Sequence, residues 1–191
     1  MIALNSSDFS KPSIRYRLNT LFDIYFSEID KAFLLWGATT FSIFSLAQFS
    51  SISWFLQALI DAALTGAVIA ITSGLTWSIA TQVKLRWVIL LWAGLMTAGT
   101  VATAYGIFYS GIWILSHLCL LWLSLCAVGY GAMAVGMRSC CFSAVCLVHF
   151  CAIDLLNYTL SCQFFSSGLV IASALVFFSF IPWDMQTSKC S

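Results

Sequence analysis

Charge is what this sequence has least of. Of its 191 residues, 8% are Asp, Glu, Lys or Arg and 61% are hydrophobic, whereas soluble domains carry roughly 25% charged residues. So few charges cannot clothe a water-soluble surface. The charges are also missing in blocks: none falls between Lys31 and Asp61, between Arg86 and Arg138, or between Asp154 and Asp184. A helix needs only about 20 apolar residues to cross a bilayer. The chain therefore reads as an all-α, polytopic membrane protein with a single transmembrane domain.

Other absences narrow the function. The net charge is +1 and no basic patch is interleaved with aromatics, so nothing recommends nucleic acid as a partner. The first residues, MIALNSSDFS, lack the positive region, long apolar region and small-residue cleavage site of a secretory signal, and residue 1 is expected in the mature chain. There is no P-loop, GxSxG elbow, EF-hand loop or dinucleotide fingerprint, and no CxxC, HExxH or CxxCH. Ser, His and Asp on separate helices could still meet inside a membrane, but no catalytic residue can be assigned.

What is there fixes the spans. Apolar runs broken by charge and turn residues predict six helices at about 32–51, 54–80, 87–108, 111–136, 139–160 and 164–183. Residues 1–31 form an N-terminal tail and 184–191 a short C-terminal one. Lys11, Arg15, Arg17 and Lys31 precede the first span, Lys84 and Arg86 separate the second from the third, Arg138 the fourth from the fifth, and Lys189 follows the sixth. All the basic residues thus fall on one side, which the positive-inside rule makes cytoplasmic, with both termini inside. In the N-terminal tail, Ile14, Leu18, Leu21, Phe22, Tyr25 and Ile29 recur at helical spacing opposite Arg15, Arg17, Asp23, Ser27 and Glu28. That pattern predicts an amphipathic helix lying on the inner leaflet, as an anchor or as a docking surface.

Small residues suggest packing. Ala62, Gly66, Ala70, Gly74 and Ser78 recur every fourth residue in the second span, and Ala98, Ala102 and Gly106 do so in the third. Such faces let two helix backbones approach closely, within the bundle or across a dimer. Trp54 and Trp113 stand near the outer loops and Trp36, Trp87 and Trp183 toward the cytoplasmic ends, where belt anchoring explains them; Trp92 and Trp122 lie deeper, with packing as the expectation and the lining of a cavity as the alternative.

The polar residues inside the spans carry the functional expectation. A carboxylate at the centre of a spanning helix costs roughly 2.5 to 3.5 kcal/mol on insertion scales, so Asp61 must be compensated or used. A rise of 1.5 Å per residue puts Asp61, His117 and Asp154 each about 10 Å below the outer ends of their helices. Gln57 precedes Asp61 by one turn and Thr65, Thr72 and Thr76 follow it; Asn157 and Tyr158 share a face with Asp154 and Cys151. The expectation is that these faces converge in an outward-facing pocket. The alternative is that each carboxylate is satisfied separately as polar glue between helices. His149, with Cys146 three residues before it, reads as a hydrogen-bonded core histidine or as the start of a metal site. No cofactor is implied, the alternative being a haem or metal held by His117 and His149.

Three functional classes follow. The first is a non-catalytic accessory or binding component of a larger membrane assembly, with other subunits or a second copy as partner. The second is a small solute-binding or proton-linked carrier that uses Asp61, His117 and Asp154. The third is a haem- or metal-binding redox protein or an intramembrane enzyme.

Overall fold

The structure is a computed structural model, and it describes residues 27–109 and 111–180. The expected amphipathic helix lies outside the described residues except at its last positions, and the C-terminal tail lies wholly outside them. Regular structure among the described residues is helical throughout: α1 Glu28–Phe49, α2 Trp54–Gln82, α3 Arg86–Phe108, a short α4 Ile112–Ser116, α5 Leu118–Met137, α6 Cys140–Leu155 and α7 Gln163–Phe180. Two 3-10 turns, Leu156–Tyr158 and Leu160–Cys162, join α6 to α7. Six segments are long and apolar enough to cross a membrane.

Local chemistry sets the ends of these helices. Ser27 is extended and caps α1: its hydroxyl accepts from the Asp30 backbone at 3.2 Å, while the Asp30 carboxylate accepts from the Ser27 N–H at 2.8 Å. Two orphan donors are thereby satisfied. The first span thus begins four residues earlier than the charge pattern predicts, and Glu28 and Ile29, assigned to the amphipathic helix, belong to its first turn. Ser53 and Ser139 cap α2 and α6 in the same way. At the α2–α3 and α5–α6 turns the chain reverses through a left-handed residue, Lys84 at φ 59° and Arg138 at φ 51°.

The expected fourth span is broken at His117. The His117 ring Nδ1 lies 2.8 Å from the Trp113 carbonyl, the acceptor that the His117 backbone N–H would use in a continuous helix. That backbone N–H turns instead to Ile114 O. A side chain has displaced a backbone donor, and α4 and α5 part there.

The helices form a ring in chain order, α1–α2–α3–α5–α6–α7, which closes through the extensive packing of α7 on α1. Helix α5 sits deepest and also touches α7. Its Leu123, Tyr130 and Met133 join Phe44, Phe142 and Phe178 in the core. Around Tyr130 the rings of Phe142, Phe178 and His149 lie with centroids 6.3, 5.7 and 5.1 Å away.

Glycine does most of its packing as a notch for a large ring. A Cβ on Gly129 would lie 2.8 Å from Trp92, one on Gly136 2.6 Å from Trp87, and one on Gly99 2.9 Å from Trp122. Three indoles therefore seat α3 and α5 against each other, two from α3 and one from α5. Gly168 receives Phe44 and Gly37 receives Val176, which brings α7 and α1 together.

The four-residue stripe on α2 does not take part. Ala62, Gly66, Ala70, Gly74 and Ser78 are all exposed, and a Cβ at Gly66 or Gly74 would meet nothing within 4 Å. On α3, Ala98 is also exposed and Ala102 half-buried; of the expected face, Gly106 alone is buried, against Ile114 and Leu115. The expectation of bundle packing through Ala62, Gly66, Ala70, Gly74 and Ala98 is corrected accordingly. The reason is geometric: residue 62 is turned about 100° from residue 61, so once the Asp61 face turns inward this stripe turns outward. Gly66→Ala and Gly74→Ala are each expected to leave thermal stability unchanged or to raise it by up to about 1 kcal/mol, the helix-propensity gain alone. A melting curve in mild detergent checks this, and a loss above that size would show that the face is packed.

Candidate functional site

Helix α2 brings Gln57, Asp61, Thr65, Thr72 and Thr76 to one inner face because they recur at intervals of four and seven residues. The Asp61 carboxyl lies in an interior cavity of about 60 Å³, whose wall also includes Gln57 and Thr65 of the same helix. Gln57 is 5% exposed, and its side chain is the hydrogen-bonding neighbour of the carboxyl. Oxygen Oδ1 is buried with no partner.

The rest of the wall comes from helices distant in sequence. Helix α1 supplies Trp36, Thr40 and Phe44, α3 supplies Thr100 and Thr103, α5 supplies Trp122, and α7 supplies Phe164. Trp54, at the head of α2, also lines it and packs against Phe164, with ring centroids 5.8 Å apart. The Thr hydroxyls on α3 donate to their own helix, Thr100 to Met96 O at 2.8 Å and Thr103 to Gly99 O at 2.8 Å. Thr103 also accepts from the Trp122 indole at 3.2 Å. The α3 hydroxyls are thus committed to their own helix, and neither bonds the Asp61 oxygen.

A second cavity, of about 160 Å³, continues toward the Lys84 end of the bundle. Trp36, Thr40, Met96, Cys126 and Ile171 line both, so the two adjoin. The inner cavity is bounded by Thr72, Thr76, Trp92, Tyr130 and Leu175 and reaches Val83 and Leu85. Trp36 is pinned across it by a 3.2 Å hydrogen bond from its indole to Thr72 Oγ1, and Trp92 donates to Met133 Sδ at 3.0 Å. Trp36, read from sequence as an interfacial anchor, is thus a wall of both cavities. Tyr130 is 0% exposed, and its hydroxyl has no partner.

The other sequence candidates lie elsewhere. His117, Asp154, Asn157 and Tyr158 are exposed and line neither cavity. Helix α2 packs on α1 and α3, and α6 on α5 and α7, so Asp61 and Asp154 sit on opposite sides of the ring despite their similar depth. His117 is engaged at the α4–α5 break, by Trp113 O and by Ser116 Oγ at 3.0 Å. Of the expected convergence, the α2 face remains.

His149 is 0% exposed and lies on the far side of Tyr130 from Trp92 in the ring cluster of the core. Its Nδ1 donates to Val145 O at 2.8 Å, which leaves Nε2 as an unpartnered acceptor. Cys146 bonds instead to Ala127 O at 3.3 Å. His117 begins α5 and His149 packs on Tyr130, thirteen residues along the same helix, so about 20 Å separates them along the axis. They cannot ligate one metal or one haem together. No group of three or more His, Cys, Asp or Glu side chains suited to a metal ion occurs among the described residues.

The residues that sequence reasoning missed are the aromatic ones. Thr100 and Thr103 gave a faint signal as polar residues at helical spacing in an uncharged span, but nothing in the spacing of Trp36, Phe44, Trp122 and Phe164 marks them as neighbours of Asp61. Comparison with known proteins adds no relative: no known protein family, curated protein or solved structure matches this chain.

Proposed function

We propose that this chain is a multi-pass membrane protein that binds a small amphiphilic solute inside its helical bundle, as the binding element of a carrier or receptor. The observation that carries the reading is Asp61, whose Oδ1 is buried without a partner, standing in the wall of a cavity otherwise built largely of aromatic and aliphatic side chains. An unpaired carboxyl in a membrane interior is costly, and such residues usually mark a ligand or ion pathway. The adjoining cavities have the form of a ligand site, mostly apolar with a few polar groups to orient the guest.

Native mass spectrometry of the protein extracted in mild detergent tests this. The expected spectrum is a single chain or homodimer carrying a discrete small-molecule adduct, which is lost in an Ala93→Phe variant that fills the inner cavity. Wild type without any adduct, before and after incubation with a membrane lipid extract, would count against the proposal.

A second reading, a subunit of a larger membrane assembly, is favoured by the outward small-residue face of α2. Backbone-close association needs such a face. Unrelated subunits retained in the same spectrum would favour it.

In either case we propose that both termini are cytoplasmic, a reading supported by the even number of spans and by the placement of the basic residues. Single-cysteine variants report the sides. With all other cysteines replaced by alanine, Cys162 is expected to react with an impermeant maleimide added outside intact cells, and a Gln82→Cys variant only after permeabilisation. The reverse pattern would invert the orientation.

A further inference from the structure

We infer that the outer cavity is selective for a lipophilic monocation, an organic ammonium with an apolar body; this rests on the reading of the cavity as a binding site. Trp36, Phe44, Trp54, Trp122 and Phe164 line the same cavity as Asp61, the one ionisable carboxyl in its wall. An aromatic ring offers a cation the negative face of its quadrupole, and cages of such rings are how proteins hold ammonium groups. A carboxylate inside the cage supplies the countercharge and an acceptor for N–H donors. Out of water both effects strengthen, because the local dielectric is low.

The wall decides the sign of the guest. It contains no Lys, Arg or His to receive an anion or a phosphate, so a zwitterionic lipid headgroup would leave its phosphate uncompensated. A neutral guest would leave the Asp61 carboxylate without a countercharge. A single positive charge matches the wall on both counts.

The volumes decide the shape. About 60 Å³ at Asp61 suits a compact head, and about 160 Å³ in the inner cavity suits the body. An apolar cavity of about 150 Å³ holds benzene, so the inner space takes a single ring or a folded alkyl chain. The guest is therefore a small amine with one apolar tail, oriented with its head toward the Trp54 end of α2.

Calorimetric titration of the full chain in maltoside micelles with octylammonium and with 1-octanol tests the inference, each corrected for partition into empty micelles. The ammonium is expected to bind about tenfold more tightly than the alcohol, as a charge-assisted contact allows. Asp61→Asn should abolish that preference while leaving octanol binding in place. Trp54→Leu, at a half-exposed ring, should weaken the ammonium and spare the alcohol. Equal binding of both probes by the wild type would overturn the cation inference and leave the binding reading intact. A preference that persists in Asp61→Asn would overturn the role of the carboxylate. Displacement of octylammonium by a short-chain phosphatidylcholine would replace the free amine by a lipid headgroup. Failure of both probes to bind would overturn the inference together with the reading it rests on.

Discussion

Gly168→Ala is expected to lower the stability of the bundle by about 2 kcal/mol, and Gly168→Leu to prevent α7 from seating. The added Cβ would collide with the Cβ of Phe44 and lie 3.0 Å from its Cγ. Both atoms are fixed close to the α1 backbone, so no rotamer change relieves the overlap. Two effects oppose each other here. Alanine gains about 1 kcal/mol of helix propensity over glycine, while forcing an extra carbon into a packed site costs about 1 to 3 kcal/mol and more where the partner cannot yield. The clash decides the sign. Phe44 is itself buried and edge-on to Trp122, with centroids 6.5 Å apart, so a shift of α1 would be felt at the cavity wall. Titrated unfolding in mixed micelles measures the loss. A neutral result, as expected for Gly66→Ala, would mean that α1 and α7 are less closely apposed than described.

Asp61→Leu is expected to act in the opposite direction on stability and to remove function altogether. On insertion scales aspartate costs roughly 2.5 to 3.5 kcal/mol and leucine contributes about −0.5 kcal/mol. Gln57 and the partial exposure of the site offset some of that difference, so the empty protein should gain about 2 kcal/mol. Ammonium binding should be lost. A residue whose removal stabilises the fold and abolishes binding is held for its chemistry. A destabilised Asp61→Leu would instead identify the carboxyl as polar glue between α2 and its neighbours. The assembly reading would then be the stronger one.

The long uncharged stretches made the spans legible, because a charge at the centre of a bilayer is costly enough to dominate every local preference. They also made Asp61 conspicuous, and the four-residue spacing from Gln57 to Thr76 marked its face. Helix order was not legible. In hydrocarbon a lipid-facing leucine and a buried leucine look alike, so hydropathy carries no direction around the axis. That is why an expected common depth alone brought Asp154 and His117 into the expected pocket, although α6 stands across the ring from α2.

The glycines misled for a related reason. A regular stripe such as Gly66 and Gly74 signals backbone against backbone, but this bundle packs rings into notches. A notch such as Gly129 needs one glycine and one indole from another helix, with no period to betray it. The break at His117 was equally hidden, since it depends on an imidazole reaching the carbonyl of Trp113 rather than on any proline or glycine.

The turns at Lys84 and Arg138 have a consequence for how this protein reaches its membrane. Each holds a non-glycine residue in the left-handed region, a conformation that costs an L-residue roughly 1 to 2 kcal/mol and that glycine would adopt freely. On the orientation proposed above, glycine would also erase a positive charge of the kind that the positive-inside rule reads while the chain is still unfolded. The two demands apply at different moments, one during biosynthesis and one for the lifetime of the fold. At both turns the earlier demand has prevailed. The finished protein carries a small permanent strain as the trace of its own delivery.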